Sequence, residues 1–424
     1  MLARIKNIIM LLIFYSLVLF LYNNAIAPMN QYLGYNITNI SFIQNLIVLF
    51  FIVLPALFLP VTIKKPSNLI IWMLFLFSYL PTAFIGINFA NSFTNYIILL
   101  TILNGAMGIF LWASTLEFNI NGNFNFNFFG FDKLIFFLLI LWIVYFVWEL
   151  INFRFELNFV DIYTRRLEAR EVSMGVMAYL ISFLRNTFIA LSVYLFFFKK
   201  KYVYLLLVLL GLLGVFIFDG SKTALIIPIV LIGFGMSLRN HWIKSPSYFL
   251  GISIIVVSIA VLESLFNDSY ILSEYFVRRV FVVPGMLNSF YFENFNQDFF
   301  GMYFSGNYGN TFNVFEDREL TYYIGSKYFG SPDANANTGI WLTGFSQLGV
   351  TGVFIISFFS GLIASLINVL SGHNFYYYGA LVGVLTGITW SEQALHTSML
   401  TGGVFISIIL MYHLNNSKML NINW

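Results

Sequence analysis

Ile340 to Val369 reads IWLTGFSQLGVTGVFIISFFSGLIASLINV, with no Asp, Glu, Lys, Arg or His anywhere in it. A helix needs about 20 apolar residues to cross the hydrocarbon core of a bilayer, and this run exceeds that. A water-facing helix of the same length would need a polar face. Here only Ser, Thr, Gln, Asn and Gly interrupt the apolar residues, so the run belongs in lipid or among other membrane helices.

Working outward, similar runs occur at 6–27, 42–63, 68–88, 96–117, 133–152, 176–198, 202–219, 223–238, 247–263, 375–391 and 398–414. Together they predict an all-α polytopic membrane protein of about twelve spans. Composition agrees: the 424 residues are 59% apolar and 9% charged, against about 25% charged in soluble domains, and mean hydropathy is +0.84. Too little polar surface remains to cover a soluble globule. The basic start at Arg4 and Lys6 leads into an apolar run with no convincing small-residue cleavage pattern, and reads as an uncleaved first helix.

Lys and Arg placement sets the expected orientation. With a cytoplasmic N-terminus, the inner face holds Arg4, Lys6, Lys64, Lys65, Lys133, Lys199, Lys200, Lys201, Arg239, Lys244 and Lys418, and the C-terminus is also cytoplasmic. The outer face holds Arg154, Arg165, Arg166, Arg170, Lys222, Arg278, Arg279, Arg318 and Lys327. The inner set is mostly lysine and the outer set mostly arginine, the side chain that forks onto carboxylate or phosphate. The outer cations concentrate in a short loop, 153–175, and in one large extracytoplasmic loop, 264–339. No repeat or soluble domain interrupts the chain, so 1–424 reads as a single membrane domain.

Chemistry is limited by what is missing. Without cysteine there is no disulfide, thiolate nucleophile or Cys-based metal site. No His-Glu-x-x-His, calcium loop or Gly-x-Ser-x-Gly elbow is present, so neither a metal nor a cofactor is expected. A net charge of +3 is too small to imply nucleic acid.

Four constellations remain. On a helix Arg166 and Arg170 would stand at i,i+4, a like-charge pairing that an anion between them would relieve; lipid phosphate and substrate phosphate both fit. Arg278 and Arg279 sit in an apolar stretch that leads to Pro284-Gly285, read here as a turn. Unpaired burial of two guanidiniums is costly, so they must reach water, an acid such as Glu274 or Glu293, or a ligand anion. Lys222, in the tight turn Asp219-Gly220-Ser221-Lys222-Thr223, either pairs with Asp219 or faces an anion. His396 is the one histidine expected outside, and Glu392 at i,i+4 would orient it as a general base, or the pair is structural. Arg185 lies mid-span and must face the interior, toward Glu149, Glu263 or lipid phosphate.

The layout then resembles the Wzy-type O-antigen or capsule repeat-unit polymerases. The features that carry it are the span number, the single large outer loop, the glycine turn Gly220–Thr223, Arg278-Arg279 before Pro284-Gly285, and Ala336-Asn337-Thr338-Gly339 opening a Gly-rich span. Two positions depart from the pattern: Lys222 replaces the commoner Arg, and Thr343 stands where an acid is frequent.

The resemblance implies a metal-independent inverting glycosyltransferase with a GT-C-like architecture in the bacterial inner membrane. Its substrates would be undecaprenyl-diphosphate-linked oligosaccharides among membrane lipids, and its partner a chain-length-regulating copolymerase. Arg165, Arg166, Arg170, Arg278, Arg279 and Lys222 would stabilise the departing diphosphate. His396 with Glu392 would supply the base, with Glu293 and Asp333 as alternatives. The aromatic and amide residues of 288–296 and 303–308 would suit sugar rings. A lipid-linked oligosaccharide flippase, an O-antigen ligase and a membrane acyltransferase are the rival expectations.

Overall fold

The computed structural model describes residues 2–118, 182–219, 223–266, 270–295, 319–372 and 375–416, with isolated positions between 137 and 151. Among these, all regular structure is helical. Five helices are long and apolar enough to cross a membrane: α1 (Leu2–Met29), α3 (Pro66–Asn88), α4 (Phe93–Ala113), α8 (Ser247–Phe266) and α11 (Ile340–Ser371). Between them lie α2 (Phe42–Phe58), α5 (Ile189–Lys199), α6 (Tyr202–Asp219), α7 (Thr223–Arg239), α9 (Val283–Phe295) and α10 (Leu320–Phe329). The chain ends in α12 (Tyr376–Glu392), α13 (Leu395–Leu400) and α14 (Val404–Asn416). This is a helical membrane protein. Most of the expected span at 133–152, and the loop at 153–175 with Arg165, Arg166 and Arg170, lie outside the described residues, as does Lys222.

Local sequence explains where helices start and where they loosen. Ser41 opens α2 with a capping box: its hydroxyl accepts the Gln44 N–H while the Gln44 side chain accepts the Ser41 N–H, which satisfies two orphan donors at once. Ser92 caps α4 by accepting the Asn95 N–H at 3.1 Å. Proline accompanies three of the described π-helical stretches. Pro28, Pro81 and Pro284 have no N–H to give the carbonyl four residues back, and those carbonyls, on Asn24, Phe77 and Val280, fall within π-helical Tyr22–Ile26, Phe75–Tyr79 and Ser273–Val282. In α2 the carbonyl released by Pro55 is that of Phe51, which accepts the Tyr79 hydroxyl at 2.7 Å. Tyr79 in turn accepts the Asn104 side chain at 2.6 Å, so a buried backbone group that lipid could not satisfy is met from α3 and α4.

Helix α3 is the central helix, with 94% of its most apolar window buried. Against it packs α9, which belongs to the stretch expected as a large outer loop. That expectation is corrected: Pro284-Gly285 is not a turn but lies inside a helix continuous with the π stretch Ser273–Val282. A Cβ on Gly285 would stand 2.3 Å from the Pro81 carbonyl oxygen, so glycine is what permits the two backbones to touch. Asn288, 1% exposed, donates to Ser78 Oγ at 3.2 Å and Thr82 Oγ1 at 2.8 Å and accepts from Thr338 at 2.6 Å. Helix α10 stacks Tyr328 on Phe290 with ring centroids 4.0 Å apart.

The opening run 340–369 forms α11 but is not straight. At Leu348 (φ −135°, ψ 23°) and Gly349 (φ 59°, ψ −144°) the helix breaks in two, and the positive φ is one that glycine adopts without cost.

Side-chain and loop bonds define two ends of the bundle. At one, Ile63 N–H donates to the Lys244 carbonyl and Ser67 N–H to Asn368; Lys64, Lys65, Arg239 and Lys244 lie here. At the other, Thr38 N–H donates to Asn88 and Tyr291 to the Ala336 carbonyl; Arg278 and Arg279 lie here. These cations thus divide between two ends as the sequence grouping placed them, with Arg239 among the lysines of one end and Lys327, which donates to Asn294, beside the arginines of the other.

Candidate functional site

A cavity of about 770 Å³ opens at the arginine end, between the residues after α1, the π stretch Ser273–Val282 and the segment before α11. The π stretch buries Ser273, Val277 and Phe281. Glu274 and Arg278 lie one position round the helix, and both line the cavity together with Arg279. Wide π turns recur at functional sites, and here one presents two adjacent guanidiniums to one space.

The two arginines differ. Arg278 Nε meets Glu274 Oε2 at 2.8 Å, with both side chains mostly buried. The second Glu274 oxygen accepts Asn30 Nδ2 at 2.6 Å, and Asn30 Nδ2 also donates to the Ile26 carbonyl at 2.8 Å. The carboxylate is thus held from both sides and fixes Arg278. Burial works against the Arg278 charge, but Tyr35 and Glu274 together outweigh it and raise its pKa. Burial likewise pushes the Tyr35 phenol up, with Arg278 acting in the opposite direction, so both groups keep their protons at neutral pH. Arg279 is exposed and, among the described residues, makes no hydrogen bond or ion pair. The cavity therefore carries one compensated cation held in place and one uncompensated cation, with Tyr32, Tyr270 and Phe329 supplying aromatic surface and Asn335 an amide. Such a site suits an anion joined to a polar body with apolar faces.

Of the residues expected to act here, Arg278 and Arg279 come together, and Glu274 proves to be the partner of Arg278. The other carboxylates do not converge with them. Glu293 accepts the Asn91 N–H at 3.0 Å, the Asn91 amide at 2.7 Å and the Asn95 amide at 2.9 Å. It anchors the amino end of α4, where a carboxylate is favoured, and its lone pairs are occupied. Asp333 is exposed, two residues before Asn335 of the cavity wall. Glu392 and His396 share no helical turn. α12 ends at Glu392, Gln393 and Ala394 are extended (ψ 153° and 151°), and α13 begins at Leu395. Neither lines the cavity.

Arg185, in the π turn Leu184–Phe188, interacts electrostatically with Glu392, a partner the sequence reading missed, while Glu263 accepts the Leu272 N–H. The amide and aromatic side chains of 288–292 are buried between helices rather than offered to a ligand, and 303–308 lies outside the described residues.

Two site residues had no local signal. Asn30 and Tyr35 reach Glu274 and Arg278 across more than two hundred residues of sequence, and only the packing of α1 on the π stretch joins them. Among the described residues no three His, Asp or Glu side chains gather as a metal site would require. Compared with known proteins, the chain matches no family, no curated protein and no solved structure.

Proposed function

We propose that this chain is a twelve-span, GT-C-like glycosyltransferase of the bacterial inner membrane, with both termini cytoplasmic. In this reading it joins undecaprenyl-diphosphate-linked repeat units into O-antigen or capsular polysaccharide on the periplasmic side. The observation that carries the reading is the cavity at the arginine end, where exposed Arg279 and braced Arg278 share a space with aromatic and amide groups.

In the reaction, a hydroxyl of one lipid-linked repeat unit attacks the anomeric carbon of the growing chain. The bond between that carbon and the diphosphate oxygen breaks, the hydroxyl proton passes to a base, and undecaprenyl diphosphate leaves as an anion. Arg279 and Arg278 face the charge that develops on the leaving group, and fixed cations in such a place are worth several kcal/mol. Arg165, Arg166, Arg170 and Lys222 retain the same expected role. Among the candidate bases, Asp333 makes no hydrogen bond or ion pair among the described residues and is adjacent to the cavity wall, so it is tested before His396. A chain-length-regulating copolymerase is the expected partner.

The test is a surface-polysaccharide gel from a strain lacking the gene, complemented with wild type or with Arg278→Ala plus Arg279→Ala at matched protein levels. A wild-type ladder that collapses to single repeat units in the double variant supports the reading. An unchanged ladder in the variant removes the arginines from the mechanism. A null strain that still polymerises defeats the polymerase and favours a flippase, ligase or acyltransferase.

A further inference from the structure

A second cavity, of about 280 Å³, lies at the lysine end, away from the arginine site. It falls at the small edge of the roughly 300–1,000 Å³ range of small-molecule pockets, the scale of a head group. Two charges of opposite sign line it, Lys65 and Glu117. Among the described residues neither makes an ion pair with the other or with any third group.

The backbone reinforces this separation of charge. Lys65 is the N-cap of α3, where the helix dipole is positive, and Ser114 is the C-cap of α4, where it is negative. The hydroxyl protons on that negative side are already spent on carbonyls. Ser114 donates to Leu111 O, Thr115 to Trp112 O and Ser365 to Leu116 O. Asn368 is likewise engaged with Ser67 through both amide atoms. The hydroxyls therefore offer lone pairs only, and with Glu117 they form an acceptor wall that asks for a donor carrying several N–H groups. Lys65, which lines the same cavity, asks for an anion. Exposed Trp112 and Phe118 beside the cavity are the amphipathic and aromatic residues found at a membrane interface.

We propose that this cavity holds the head group of an ethanolamine phospholipid, with its phosphate on Lys65 and its ammonium on Glu117 and the hydroxyl oxygens at the end of α4. Choline would bring the positive charge without N–H donors, and a glycerol head group would bring the phosphate without the cation.

The test uses the full-length protein, delipidated in detergent, with retained lipid read by native mass spectrometry. The probes are dioleoyl phosphatidylethanolamine, phosphatidylcholine and phosphatidylglycerol, with soluble O-phosphoethanolamine as the head group alone. The expected result is ethanolamine lipid held about tenfold more tightly than the other two lipids, with Glu117→Gln and Lys65→Gln each removing about tenfold, the scale of one charge-assisted contact. Both side chains are exposed, so the variants should unfold at the wild-type temperature, which is checked in parallel. Phosphatidylglycerol bound as tightly as ethanolamine lipid would reduce the cavity to a bare anion site and overturn the proposal. Equal binding of the choline lipid, or variants indistinguishable from wild type, would overturn it too. Soluble O-phosphoethanolamine competing as strongly as the lipid would overturn the assignment to a membrane lipid.

Discussion

Replacing Gly285 with Ala separates the buried-helix description of α9 from a surface turn. The added Cβ would stand 2.3 Å from Pro81 O, 2.5 Å from Pro81 C and 3.0 Å from Thr82 N. All three are backbone atoms of the central helix, so relief requires moving the two helices apart by about 1 Å to restore ordinary contact. Overpacking of this kind costs about 1–3 kcal/mol. The same movement stretches the bonds from Asn288 to Thr82 (2.8 Å) and from Ser289 to the Gly86 carbonyl (3.2 Å), each worth about 1 kcal/mol. Alanine's better helix propensity returns about 1 kcal/mol, leaving a net loss of about 3 kcal/mol. Thermal unfolding of the purified protein in detergent should show Tm lowered by about 5 °C, at the low end of the shift per kcal/mol because the chain is long. Gly108→Ala is the control: nothing lies within 4 Å of that Cβ on α4, so its Tm should hold or rise slightly. If Gly285→Ala unfolded within a degree of Gly108→Ala, the close approach of α9 to α3 would be refuted.

Tyr79→Phe removes the donor to the carbonyl that Pro55 leaves unpaired and should cost about 1–3 kcal/mol; a Tm equal to wild type would show that the carbonyl finds another donor. Asn288→Leu orphans Thr338 and breaks the bonds to Ser78 and Thr82, an expected loss of about 2–4 kcal/mol, and no loss would show that these groups find other partners. Glu274→Ala strands mostly buried Arg278 and should cost about 3 kcal/mol, whereas Arg279→Ala should stay within about 0.5 kcal/mol; equal effects would contradict the asymmetry of the two arginines. Burial raises the Tyr328 phenol to about 12 from 10.0, so its contribution is complete below pH 10 and is lost as pH rises toward 12, because the unfolded phenol ionises first. The Tm difference between wild type and Tyr328→Phe should therefore change between about pH 10 and pH 12, and a constant difference would oppose this.

The candidate site was partly legible in sequence. Arg278 and Arg279 stood out because two adjacent guanidiniums in an apolar stretch need a partner, and Glu274 at i,i+4 was one of the two acids named for it. What misled was local: Pro284-Gly285 has the composition of a turn, and Glu392 and His396 have the spacing of a helical turn. The helix containing the first pair and the break separating the second both depend on neighbours. Gly285 fits against Pro81, and Glu392 ends its helix before an extended Gln393 and Ala394. Glu293 looked like a free acid because the asparagines that bind it are about two hundred residues earlier.

Sequence by itself determined that the chain is a helical membrane protein and, for the described residues, which cations group at each end. Those properties follow from sums over many residues: apolar runs must leave water, and each charge must reach a helix end or a partner. Tertiary structure alone decided that part of the expected outer loop is a helix docked on α3, that Tyr79 serves the carbonyl freed by Pro55, and that Asn30 and Tyr35 brace the arginine cavity. Each of these depends on one close approach between distant segments. A missing side chain at Gly285, or one spare acceptor on Glu274, acquires its meaning only when the opposing surface is in place.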